Sequence, residues 1–257
     1  MCAILGFTSP SLKKEQVLPY FEKTKSRGPD DTRLEPAGSG MLGFHRLAIM
    51  GLHPEGMQPF HRGGDMAVCN GELYGFRPVK KALEAKGYVF ASDSDCEIIL
   101  PLWQEYGTDM FAGLDAEFAM IIYDSASDSL VAARDPIGIR PLFYGYLADG
   151  SIIFASEAKN LVGLCAHVFP FPPGHYYKDG KFVRYADLTT VTRYSDDDLD
   201  TVTKKIREKL ISAVEKRLDA DAPCLRDLGQ ASRQKDPHIR HRHGFRPHRP
   251  EIREGNR

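Results

Sequence analysis

A chain of 257 residues, 42% hydrophobic and 27% charged, has the balance of an ordinary globular protein that can bury a real core. No apolar run approaches the ~20 residues that span a bilayer, and no basic region followed by an apolar one marks a signal peptide, so a cytoplasmic protein without a membrane partner is expected. The net charge of −1 conceals an asymmetry: residues 224–257 carry +5 and residues 1–223 carry −6, so the two parts need separate explanations.

In chain order, Ala3 to Phe7 are apolar and stop at Thr8-Ser9-Pro10, which predicts a short buried strand. Ser11 to Ser26 reads as a helix capped by Ser11, with Val17, Leu18, Phe21 and Thr24 on one side, and Arg27-Gly28-Pro29-Asp30 stops it. Met41 to Ile49 alternates as a strand that carries Arg46 near its far end, and His53 to Pro59 is loop. Met66 to Asn70 is a further strand, after which Asn70-Gly71 predicts a tight turn. Val79 to Lys86 is a short helix.

Ser94 to Tyr106 is the clearest helix, with Asp95 and Glu97 at the positive end of its dipole and Ile98, Ile99, Leu102 and Trp103 as its apolar face. From Glu117 to Tyr185 short strands alternate with turns: Phe118–Tyr123, Leu130–Ala133, Leu142–Tyr146, Ile152–Ala155, His175–Tyr177 and Phe182–Tyr185. Two antiparallel sheets flanked by a few helices, an α+β fold, is the expected architecture. Asp196 to Leu218 is a separate amphipathic helix whose stripe of Val202, Ile206, Leu210, Val214 and Leu218 needs a surface to pack on.

Cys2 is the first candidate for chemistry. A small residue after the initiator methionine favours removal of Met1, which leaves one residue carrying both a thiol and a free α-amine. The amine, with pKa ~7.7–8.0, can take the proton of a thiol titrating near ~8.5, so nucleophile and base share a residue. Against this stands the common role of a free cysteine as a small buried hydrophobe. The five cysteines are odd in number and lack metal-ligand spacing, which fits reduced thiols. His238, His241 and His243 have no Cys or acid partner at familiar spacing, so no metal is expected. Taken singly, Arg46, His45, Asn70-Gly71 and Asp95 read as surface, packing, turn and helix-start residues.

Together they carry a resemblance. MCAILGF, RGPDDTR, FHRLAIMGLHPEGMQPF, CNGELYGF, SDSDCEIILPLWQEYG, ARDPIGIRPLFYG, FASEAKNLV and FPPGHYY follow one another over residues 1–185. In that set and order the chain resembles the class II glutamine amidotransferase domain, an N-terminal-nucleophile hydrolase, and most closely the glutaminase half of asparagine synthetases. The resemblance implies a four-layer αββα sandwich of two antiparallel sheets. It implies that Cys2 attacks the glutamine amide to give a glutamyl thioester and ammonia, with the Asn70 side chain and the Gly71 N–H as the oxyanion hole. It further implies that Arg46 clamps the substrate carboxylate, that Glu72 and Asp95 hold its ammonium, and that backbone around Leu47 and Ile49 completes the pocket. No metal or organic cofactor is needed for such thiol chemistry. Gly75 stands where the family usually has Asn, and Asp93 where Gly is common.

Past Pro223 no ATP-binding SGGLDSS-type loop follows. The expected organisation is a glutaminase domain over 1–190, a linker helix over 195–223 left from the start of a synthetase domain, and a basic, disordered tail over 224–257. Read one base later, with chosen synonymous codons, the tail can encode a synthetase-like string, which suggests a frame-shifted remnant. The chain is thus expected to release ammonia from glutamine without making asparagine alone, a separate synthetase domain or subunit being its partner. Trimming near Tyr194 is expected to spare that activity. The alternatives are a catalytically silent fragment, a partner-binding subunit, or a domain of another class II family. A nucleic-acid arm is disfavoured, since the tail has one aromatic residue and no periodic spacing.

Overall fold

The computed structural model describes residues 1–221; the tail over 224–257, with its histidines and Cys224, lies outside the described residues. In chain order the elements are β1 (Ala3–Thr8), α1 (Lys14–Phe21), β2 (Asp31–Ala37), β3 (Gly40–Arg46), β4 (Phe60–Arg62), β5 (Asp65–Leu73) and α2 (Phe76–Ala85). There follow α3 (Ile99–Tyr106), α4 (Met110–Gly113), β6 (Ala116–Asp124), β7 (Ser129–Arg134), β8 (Phe143–Tyr146) and β9 (Ile152–Ala155). The last are β10 (Val168–Pro170), β11 (His175–Lys178), β12 (Lys181–Arg184) and α5 (Leu199–Lys216).

The strands form two six-stranded antiparallel sheets, ordered β10-β8-β9-β1-β3-β2 and β12-β11-β7-β6-β5-β4. Successive side chains of a strand point to opposite faces, and here both faces are apolar. In β6, Ala119 and Ile121 face the other sheet, while Phe118, Met120 and Ile122 pack under α2, α3 and α4 with Leu83, Ile99, Trp103 and Phe111. In β1, Ile4 enters the gap between the sheets, and Leu5 and Phe7 pack on Val17 and Phe21 of the α1 region. Alternation with two apolar faces can be buried only by a layer on each side, which yields the expected αββα sandwich.

Several local expectations change. Helix α1 begins at Lys14 rather than at Ser11, because the hydroxyls of Ser9 and Ser11 both donate to the Asp149 carboxylate. Asn70-Gly71 makes no turn: β5 runs through to Leu73, paired throughout with β6. Tertiary pairing overrides the turn propensity of the dipeptide. The helix expected from Ser94 opens as a 3-10 turn, Asp95–Ile98, before α3. Strand β2 escapes the sequence pattern because it is a sheet edge on which only Leu34 and Ala37 are buried. Gly75 sits at φ 63°, a left-handed conformation that Gly adopts freely and Asn adopts more readily than most residues.

Helix α5 starts at Leu199 rather than at Asp196, because the Asp198 side chain caps it by accepting from the Thr201 N–H at 2.7 Å. None of its residues is buried, and Leu199, Ile206, Leu210 and Val214 are exposed. Among the described residues its hydrogen bonds and ion pairs to the sandwich come from its C-terminal end and the residues after it.

Candidate active site

The register of β1 on β3 brings the first two site residues together. Ala3 pairs with His45, so the next rung outward sets Cys2 beside Arg46 at the same sheet end. Beyond Arg46 the chain leaves the sheet, and its first backbone groups bracket the thiol. The Leu47 N–H donates to Cys2 Sγ at 3.3 Å, and the Leu47 carbonyl faces the sulfur at 3.5 Å. The Cys2 carbonyl accepts from Arg27 Nε at 3.0 Å, and Arg27 is itself paired with Glu157 at 2.8 Å. Burial pushes the Cys2 thiol up, so at neutral pH it needs a base. The same burial pushes the neighbouring terminal amine, here that of Met1, down, so that more of it is in the unprotonated form a base must have at neutral pH. His45 takes no part: its ring stacks on Phe21 at 3.8 Å, and its nitrogens engage Thr32 and the Phe21 carbonyl.

Strand β5 supplies the facing wall. The Cys69 N–H donates to Gln58 Oε1 at 2.6 Å and the Leu73 N–H to Asp95 Oδ2 at 2.7 Å, so both point away from β6. Backbone direction alternates along a strand, and the Gly71 N–H therefore points to that same open edge, between Gln58 and Asp95. A Cβ at position 71 would meet the Glu117 carbonyl at 2.7 Å and Phe118 Cβ at 2.8 Å, so only glycine fits so close a strand pair. Asn70 and Glu72 alternate with Gly71 and project, like Val68, toward the gap between the sheets. Asn70 is 1% exposed, yet its Nδ2 donor has no partner. An unpaired buried donor costs ~1–3 kcal/mol, which marks it as waiting for an acceptor.

Three carboxylates crowd the next position along. Burial first, then Asp95 and Glu117, push Glu72 up to about 7. Asp95 is 4% exposed and pushed up by burial, against which hydrogen bonds from the Leu73 and Cys96 backbone work. A cation placed among these acids would be well received. Arg46, 7% exposed, lies across from them and donates from Nη1 to the His53 carbonyl at 3.1 Å and from Nη2 to the Gly51 carbonyl. Its remaining N–H donors are available to a carboxylate.

All eight residues singled out in the sequence (Cys2, Arg46, Leu47, Ile49, Asn70, Gly71, Glu72 and Asp95) line this one cavity. Sequence reasoning missed Arg140, which reaches the same cavity and pairs with Glu117 at 2.6 Å. The Asp135 carboxylate holds it there by accepting from the N–H groups of residues 137, 138, 139 and 140. The signal lies in the RDPIGIRPL run, which carries part of the resemblance but whose local pattern assigns Arg140 no role. Gln58 was also missed; it bonds both the N–H and the carbonyl of Cys69 and so caps the open edge of β5. Among the described residues no helix is long and apolar enough to cross a membrane.

Comparisons with known proteins bear on the family and the fold. A family model described as a glutamine amidotransferase domain matches residues 1–174. The chain is 35% identical over 236 residues to a probable glutamine-hydrolyzing asparagine synthetase of Dictyostelium discoideum, covering 87% of this chain and 42% of that protein. It is 36% identical over 227 residues to a glutamine-hydrolyzing asparagine synthetase of Sandersonia aurantiaca, covering 86% of this chain and 42% of that one. The chain thus spans less than half the length of either relative. Among solved structures, an allosteric regulatory enzyme of purine biosynthesis superposes with TM-score 0.59 and 20% identity, over 75% of this chain and 50% of that chain. Glutamine phosphoribosylpyrophosphate amidotransferase from B. subtilis gives 0.58 and 20%, over 72% and 49%. At that identity the structural likeness speaks for the fold alone.

Proposed function

The chain belongs to the glutamine amidotransferase domain family, and from that premise we propose that it hydrolyses the side-chain amide of glutamine to glutamate and ammonia. The observation that carries the proposal is the unpaired, buried Asn70 Nδ2 beside the cavity that also holds the Cys2 thiol. In the proposed reaction Met1 is removed, and the freed α-amine of Cys2 takes the thiol proton. The sulfur bonds to the amide carbon, and the charge that develops on the amide oxygen is met by Asn70 Nδ2 and the Gly71 N–H. The carbon–nitrogen bond then breaks, the amine returns its proton to the departing nitrogen, and ammonia leaves. Water cleaves the resulting thioester to glutamate and restores the thiol.

Arg46 receives the substrate α-carboxylate, for which a planar guanidinium is suited, and Glu72 and Asp95 receive its ammonium. Residues 1–190 form the hydrolytic unit and 195–223 a linker. Following the named activity of the relatives, we assign the chain to the ammonia-supplying half of an asparagine synthetase activity, with a synthetase domain or subunit as its partner. A cytoplasmic setting suits the four free thiols among the described residues. The test is a glutaminase assay on the purified chain with its terminus read by mass spectrometry. Ammonia release from a chain beginning at Cys2, and its loss in Cys2→Ala, are expected. An active chain that retains Met1, or labelling by a diazo-ketone glutamine analogue at Cys69 or Cys96 instead of Cys2, would overturn the mechanism.

A further inference from the structure

Gly51 is where three parts of the molecule meet. Its carbonyl accepts from Arg46 Nη2. Its Cα abuts the turn that carries Asp95, since a Cβ there would lie 2.7 Å from the Ser94 nitrogen, and its φ of 56° also favours glycine. Its N–H donates to Asp221 Oδ2 at 3.0 Å, while the Asp221 N–H donates to the Ile49 carbonyl at 3.1 Å. A residue 170 positions further along thus forms a two-point bridge to the loop that supplies one partner of Arg46.

The residues before Asp221 are fastened as well. Lys216 pairs with Asp115, Arg77 with Asp219, and Arg217 reaches Glu117 at 3.4 Å while lying over the Tyr74 ring at 4.8 Å. Each surface pair alone is worth little, but three of them and a cation–π contact within four residues fix the path of the segment. One end of that path acts on the Arg46 side of the cavity through Gly51. The other lies beside the acids on the Glu72 side, where Arg217 helps to pull Glu72 back down against burial and its acidic neighbours. The rest of α5 makes no buried contact, so the tie is concentrated in residues 216–221.

We propose that Asp221 is a positioning residue of the glutamine site, which sets glutamine affinity by holding the Gly51 carbonyl against Arg46. The proposal rests on the glutaminase reading above. It reverses one expectation from the sequence: trimming near Tyr194 removes Asp221 and should weaken glutamine binding rather than spare it.

The experiment compares the full chain with Asp221→Ala and Asp221→Asn by steady-state glutaminase kinetics and by hydrogen exchange of the peptide covering residues 47–57. Losing one hydrogen bond should raise KM for glutamine roughly three- to tenfold, with kcat unchanged. Asn retains an acceptor oxygen and should restore most of the affinity. Exchange at the Gly51 amide should accelerate in Asp221→Ala, whether or not the protein turns glutamine over. An unaltered Gly51 amide together with an unaltered KM overturns the proposal, as does a fall in kcat alone. A wild-type chain with no glutaminase activity, but with faster Gly51 exchange in Asp221→Ala, overturns the functional reading and leaves the tie standing.

Discussion

The two walls of the cavity are built on opposite plans. On the β1–β3 wall the reacting and clamping groups are already held by the backbone: Cys2 Sγ by Leu47, Arg46 by Gly51 and His53. On the β5 wall the polar groups are left wanting, with Asn70 Nδ2 unpaired and Glu72 pushed up to about 7 by burial and by its acidic neighbours. The first wall holds its groups in place before substrate arrives. The second stores unfavourable free energy that an oxyanion and an ammonium would relieve, so its groups should matter most when charge is present.

The sharpest way to break this contrast is at Cys2. Cys2→Ala should lower glutamine hydrolysis below detection while the thermal midpoint moves little, because the thiol has only loose backbone contacts to lose. Next in size, Asn70→Ala should lower kcat by ~100-fold or more with little change in KM. Because the mutation also deletes an unpaired buried donor, it should not destabilise the fold beyond its small cavity. Unchanged turnover would remove Asn70 from the oxyanion hole and dissolve the distinction between the walls.

Loss of recognition should be smaller and should appear in KM. Arg46→Ala or Asp95→Asn should raise KM by about an order of magnitude, as expected for a charged hydrogen bond worth ~1.5–3 kcal/mol. A thermal-shift comparison should separate the two. Asp95→Asn also weakens the bond from the Leu73 N–H, whereas Arg46→Ala frees two loop carbonyls.

The pH dependence is the finest test. Glu72 must be ionised to hold an ammonium, so KM for glutamine should rise as pH falls below about 7, and Glu72→Gln should flatten that profile. Stability carries the opposite sign. The folded state binds this proton with pKa about 7 against an ordinary 4.5, so the stability it contributes is full below about 4.5 and is lost as pH rises to about 7. Glu72→Gln should therefore be slightly more stable than wild type above pH 7. The gain should be on the order of 1 kcal/mol or less, because the group is only partly buried and solvent screens it. A denaturation series across that pH range measures it.

Much of this was legible in the chain. The buried strand behind Cys2, the two-faced strands from Phe118 onward and the terminal thiol are local patterns, since a strand's period and a residue's position in the chain are written in adjacent residues. The site residues were legible only as a set, because none of them has a distinctive local context. Tertiary structure decided the rest. It kept Asn70-Gly71 inside β5, where pairing to β6 leaves no room for a Cβ, although the dipeptide itself favours a turn. It brought Arg140 to Glu117 through a loop wound on Asp135, and Asp221 to Gly51 across most of the chain. Such contacts depend on the meeting of segments far apart in sequence, and no local period or propensity encodes which distant backbone group a side chain will find.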